Sequence, residues 1–244
     1  MGAAASNSSV SLVTGGVRGL GLAVARALHQ RGDRVHVVYR SSRDLARELE
    51  HEFPERVHRA DALDEGALEA VVAAVRERDG RLDHLVHAVG EYVSGPLENC
   101  EPADLRRMFA SNVESSFLAF RAARAALRES RGSAVFFGCA GLDGLRARRQ
   151  TAAYTAAKSA LLVLTRSLAV EEAPHGVRVN MVSPGFVPHE HASNDTRDPR
   201  LWERIPLARP GAPEDVARAV AWLASPNASY VTGADIDVAG GWML

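Results

Sequence analysis

Lysine is almost missing from this chain. Of 29 basic residues among 244, Lys158 is the one lysine and all others are arginine. Cysteine is nearly as scarce, with Cys100 and Cys139 forming neither a CxxC pair nor a His/Cys cluster. That excludes a disulfide framework and a structural zinc site, and suits a reducing cytoplasm. No sign of charge dominates: 29 basic against 30 acidic residues give a net charge of −1. A general attraction to nucleic acid or to an anionic membrane is therefore not expected. Nor does any apolar run reach the roughly 18 residues that span a bilayer. The opening "MGAAASNSSV" fits M-G-x-x-x-[ST] through Gly2 and Ser6, but without a polybasic or second lipid signal stable anchoring is not expected. Residues 1–9 are expected to form a disordered tail, and no metal is expected.

What remains is an ordinary globular composition, 46% hydrophobic and 24% charged, ample for a core on two sides of a sheet. Short β-rich runs, at 10–14, 34–40, 56–61, 82–90, 133–139, 177–185 and 234–241, alternate with helical patterns. The helices are expected after Gly19 up to Gly32, then near 42–52, 64–78, 102–130, 151–173 and 213–224. This alternation predicts one α/β domain over 10–244, a Rossmann-type doubly wound parallel sheet of about seven strands with helices on both faces. No repeat or linker divides it.

The first strand runs into "TGGVRGLG", with glycines at 15, 19 and 21 in TGxxxGxG spacing. A loop of this kind lets the backbone turn sharply and rest a pyrophosphate on a helix N-terminus. Gly15, Arg18, Gly19, Leu20 and Gly21 are thus candidate dinucleotide-binding residues. The second strand ends in "YRSS", with Arg40 and Ser41 where an acidic residue would otherwise hold a ribose 2′-hydroxyl. Arginine there, with Arg18, pairs better with a 2′-phosphate and points to NADP(H). Asp61, followed by Ala62, is placed to accept from the adenine amino group or to cap the helix starting near Leu63.

Tyr154 and Lys158 stand four apart in "YTAAK", on one face of a helix. A phenol near its ordinary pKa moves protons poorly at neutral pH, and a neighbouring ammonium favours the phenolate. These segments, with "FASNVESSF", "VRVNMVSPG", "IPLARPGAPEDVA" and "YVTGADIDVAGG", resemble the short-chain dehydrogenase/reductase family, nearest its 3-oxoacyl-carrier-protein reductase type. The resemblance runs from Val10 to the C-terminus. It implies an NADPH-dependent carbonyl reductase with Tyr154 as proton donor, Lys158 holding the nicotinamide ribose and Asn112 holding a water of a proton relay. A 3-oxoacyl thioester is the substrate it suggests. It also implies cofactor contacts from Ala88, Gly90, Pro184, Gly185 and Val187, and assembly into a homodimer or homotetramer.

The chain departs from that pattern in three places. "HAVG" (87–90) replaces Asn-Asn-Ala-Gly, removing two bracing amides, and His189 stands where a threonine usually contacts the cofactor. The usual catalytic serine is missing. Counting back thirteen from Tyr154 gives Gly141, whereas matching the strand end gives Gly138–Cys139. Cys139 is the nearest substitute, and Asp143 serves only if its loop folds inward. Thr151 is expected to start the helix. His189 and His191 flank Glu190 at metal-like spacing without an obvious third ligand. Arg146, Arg148 and Arg149, and Arg121, Arg124, Arg128 and Arg131 along a helix, suggest a basic surface for an acidic carrier or an anionic substrate; a solvated helix face explains them equally. Reduction of C=N or C=C, alcohol oxidation, or a catalytically silent NADP(H)-binding role are the competing functions.

Overall fold

The computed structural model describes residues 8–144, 146–188 and 199–243. Its strands are β1 (Val10–Thr14), β2 (Arg34–Tyr39), β3 (Val57–Arg59), β4 (His84–His87), β5 (Ser133–Phe137), β6 (Arg178–Pro184) and β7 (Asp235–Val238). They form one parallel sheet in the order β3-β2-β1-β4-β5-β6-β7. Its helices are α1 (Gly19–Gln30), α2 (Arg43–Leu49), α3 (Glu65–Asp79), α4 (Pro102–Phe109), α5 (Ser115–Ser130), α6 (Ala152–Glu172), α7 (Pro199–Trp202) and α8 (Pro213–Leu223). The apolar strand runs are continuous because both sheet faces are covered. Leu68, Phe120 and Leu161 from α3, α5 and α6 belong to the core on one face; Leu28, Val216 and Val220 from α1 and α8 belong to the other.

Strand order reverses between β1 and β4, so the chain leaves these two strands in opposite directions and opens a crevice at their carboxyl ends. At the start of β1, Ser9, within the expected tail, is bound to the sheet: its carbonyl accepts from Arg34 N at 2.9 Å. Residues 1–7, including the Gly2 and Ser6 pattern, lie outside the described residues.

The helical region 102–130 is interrupted. A π-helical turn over Ala110–Glu114 separates α4 from α5 and contains Asn112, the kind of local widening often found at functional sites. Asp61 does not cap α3. Asp64 does, accepting from Ala67 N at 3.0 Å, while Asp61 accepts from Leu63 N in the preceding turn.

The arginines of α5 do not form a free basic row. Arg124 and Arg128 hold the fully buried carboxylate of Glu172 on α6 at 2.6 and 2.7 Å, and Arg121 pairs with Glu65 at 2.9 Å. Their charge is used to fix α5 against α6 and α3. Among the described residues, no helix is long and apolar enough to cross a membrane, and no group of three His, Cys, Asp or Glu side chains could hold a metal. His189, Glu190 and His191 lie outside the described residues.

Candidate active site

One cavity of about 690 Å³ follows the crevice, lined by the glycine loop, Arg40, Ser41, Asp61, Ala62, Ala88, Gly90, Asn112, Cys139, Tyr154, Lys158, Pro184, Gly185 and Val187. At one end the chain turns after Thr14 through Gly15 at φ 72°, where a Cβ would lie 2.7 Å from the Ala88 carbonyl oxygen. A Cβ on Gly21 would collide with the Gly15 carbonyl, so the loop closes only with glycine at both positions. The N-terminus of α1 has neither a side-chain cap nor an acidic residue in its first turn. Its orphan N–H groups thus meet the cavity, an arrangement suited to a phosphate. Arg18, Arg40 and Ser41 stand on the same wall. The Arg40 guanidinium, 62% exposed, lies 3.9 Å from the Asp61 carboxylate. The residues present fit a dinucleotide carrying an extra phosphate at this end.

At the other end α6 begins after Thr151 and brings Tyr154 and Lys158 to the cavity wall. Lys158 Nζ donates to the Phe137 carbonyl at 2.7 Å and lies 5.6 Å from the Tyr154 ring centroid. Burial lowers Lys158 to about 8. Burial also pushes the Tyr154 phenol up, well above its ordinary value. Cys139 and Tyr92 beside the phenol act in the same direction as burial.

Asn112 Nδ2 donates to the carbonyls of Glu91 and Met108 and to Ser111 Oγ, at 3.0–3.1 Å. Its Oδ1 is buried without a hydrogen-bond partner. A Cβ on Gly90 would meet that oxygen and lie 3.4 Å from Lys158 Nζ. Glycine thus keeps the Asn112 acceptor and the Lys158 donor facing one small space.

Within "HAVG", His87 Nδ1 lies 2.7 Å from Thr14 Oγ1, and His87 Nε2 lies 3.0 Å from Ser115 Oγ. Ser115 donates its own proton to the Ser111 carbonyl, so Nε2 must donate and Nδ1 must accept from Thr14. Burial holds His87 down at about 3, consistent with this neutral tautomer. His87 therefore ties the end of β1 to the start of α5, directly after the π turn that carries Asn112.

Gly141 cannot stand in for the serine, since a Cβ there would lie 2.7 Å from Met243 Cβ. The strand-end match is the one the structure supports, because Cys139 lines the cavity with Tyr154 and Lys158. Burial pushes its thiol up to about 11. Asp143 turns out to solvent and pairs with Arg166 at 3.0 Å, so its loop does not fold inward. The arginines of 146–149 separate: Arg148 enters the cavity wall, Arg146 donates to the Met243 carbonyl, and Arg149 is exposed.

Three aromatic walls escaped sequence reasoning. Tyr92 packs edge-on against Tyr154 with centroids 5.0 Å apart, and Phe186 packs against Trp242 at 4.6 Å. Their one signal was position: each lies within a few residues of a motif glycine, in a chain only 6% aromatic.

Comparison with known proteins agrees with this geometry. Residues 15–243 match the family model described as enoyl-(acyl carrier protein) reductase. The chain is 37% identical to the uncharacterised oxidoreductase YgfF of Escherichia coli, over 96% of this chain and 99% of that one. It is 35% identical to 2-(R)-hydroxypropyl-CoM dehydrogenase of Xanthobacter autotrophicus, over 96% and 98%. The crystal structure of a blue fluorescent protein from a metagenomic library, in complex with NADPH, superposes with a TM-score of 0.89 at 32% identity, covering 99% of this chain and all of that one.

Proposed function

Because the chain belongs to the short-chain dehydrogenase/reductase family of oxidoreductases, we propose that it is an NADPH-dependent carbonyl reductase with Tyr154 as proton donor. One observation carries the reading: Tyr154, Lys158 and the unpartnered Asn112 Oδ1 meet in the same cavity as the uncapped N-terminus of α1. The residues of the glycine loop, Arg18, Arg40, Ser41, Asp61 and Ala62 would hold the adenosine and phosphates. Ala88, Gly90, Pro184, Gly185 and Val187 would enclose the nicotinamide. The NADPH-bound structure to which this chain is similar supports the choice of cofactor. When bound, the cofactor supplies hydride.

All proton handling falls to the chain. The raised Tyr154 keeps its proton in the ligand-free site, so a carbonyl oxygen reaching Tyr154 Oη meets a donor. As negative charge develops on that oxygen, the phenol releases its proton to it. Lys158, fixed by the Phe137 carbonyl, supplies the positive charge beside the phenol, and Asn112 Oδ1 would accept from a water that links Lys158 to solvent and so passes protons to it. Tyr92, Phe186 and Trp242 give the acceptor an apolar, flat-walled environment. A 3-oxoacyl thioester is one acceptor for this site; the family model's description, an enoyl-(acyl carrier protein) reductase, shares with it the acyl-carrier link but names a C=C acceptor.

The test is NADPH oxidation against a panel of ketones, oxo esters and 3-oxoacyl thioesters, repeated with NADH. The protein is expected to oxidise NADPH with at least one carbonyl. Arg40→Ala should weaken NADPH by about tenfold or more, the worth of one charge-assisted phosphate contact, and leave NADH nearly unchanged. Equal weakening of both cofactors would remove Arg40 from the assignment. Cofactor binding without turnover on any acceptor would favour a silent binding protein.

A further inference from the structure

The acceptor end of the cavity contains two arginines with different fates. Arg107 is neutralised, pairing with Glu91 at 3.0 Å and Asp104 at 2.8 Å. Arg148 forms no ion pair among the described residues. Its Nη2 donates to the carbonyls of Ala140 and Gly141, at 2.9 Å each. Its Nε is buried with no hydrogen-bond partner. Asp237 is close enough for its charge to feel Arg148. Yet its two oxygens face Gly141 N, at 3.1 and 3.4 Å.

The seat of this guanidinium is built into the backbone. Gly141 adopts φ 76°, and a Cβ there would lie 2.9 Å from Arg148 Nη2. Both carbonyls that hold Nη2 belong to the loop leaving β5, the same loop that delivers Cys139 to the cavity. A cation fixed in place and left without a carboxylate of its own is poised for one brought by a ligand. The same cavity is also lined by Tyr92, Phe186 and Trp242, and where such faces displace water a charge pair is strengthened.

We propose that Arg148 is the specificity-determining residue of the acceptor end, receiving the carboxylate of an oxo acid whose carbonyl is presented to Tyr154. The proposal rests on the carbonyl-reductase reading above and narrows its substrate to anionic oxo compounds. Arg146 and Arg149 take no part, because neither lines this cavity.

The experiment compares acetoacetate, levulinate and 5-oxohexanoate with their methyl esters, which keep the ketone and remove the charge. The wild type is expected to favour one acid over its ester by about tenfold or more in kcat/KM. Arg148→Gln should raise KM for that acid by a similar factor with little change in kcat, and shift the esters by less than about twofold. Arg148→Lys should recover part of the loss, since charge is retained without the planar fork. Preference for esters in the wild type, or equal losses for acids and esters in Arg148→Gln, would overturn the proposal. If no acceptor is reduced, the reductase reading fails and binding decides the role of Arg148. Titrating levulinate and its ester against the NADPH complex, followed by tryptophan fluorescence, should then show saturation by the acid alone, lost in Arg148→Gln. Identical titrations of both would reject the role.

Discussion

Cys139 follows β5 into the cavity and stays protonated at neutral pH, because burial holds its thiol up at about 11. It offers a developing oxyanion only a weak S–H donor. Cys139→Ser places a hydroxyl on the same Cβ and is expected to raise reductive kcat/KM by about tenfold or more, part of the ~3 kcal/mol that one oxyanion donor is worth. The same steady-state assay on Cys139→Ala should show no gain, and equal rates in all three proteins would show that Cys139 does not meet the reacting oxygen. At this scale the sequence was highly legible. Tyr154, Lys158 and Asn112 each fell where spacing and resemblance put them. Missed were charges whose fate depends on distant partners. The carboxylate that pairs with Arg124 and Arg128 comes from Glu172, more than forty positions along the chain. Arg148 turns inward only because Gly141 leaves it room.

Among elements, the strand runs were easy to read, since both faces of a parallel sheet are apolar and bounded by turns. The π turn at Ala110–Glu114 was invisible to periodicity, as it breaks the helical pattern by a single residue within a long amphipathic stretch. The His87 imidazole spans β1 and the start of α5 through Thr14 and Ser115, and a single residue type could not reveal both partners. His87→Ala should leave the Thr14 hydroxyl without its acceptor and take one donor away from Ser115 Oγ, at a cost of about 1–3 kcal/mol. Urea denaturation should report that loss, with His87→Asn restoring a good part of it. An unchanged midpoint for His87→Ala would show that the brace carries no weight.

Across the whole molecule, several histidines are buried in neutral form. Burial lowers His36 to about 4 and His87 to about 3, against an unfolded value near 6.5. The unfolded chain therefore binds more protons as pH falls, so this stabilisation is full above about 6.5 and lost progressively toward pH 3–4. By the worth of the shifts, His36 contributes on the order of 3 kcal/mol and His87 on the order of 5 kcal/mol to that loss. Thermal unfolding should show a Tm that falls steeply below pH 6, with the fall shallower in His36→Gln. A Tm as high at pH 4.5 as at pH 7 would contradict the buried neutral state.

On the proposed reading, the chemistry depends on one phenol, Tyr154, set in the cavity. The most direct measurement compares wild type and Tyr154→Phe for NADPH oxidation with a carbonyl acceptor, alongside NADPH affinity. Removing the general acid is expected to lower kcat by about 100-fold or more while the NADPH Kd stays within about twofold. Wild-type turnover retained by Tyr154→Phe would contradict the account.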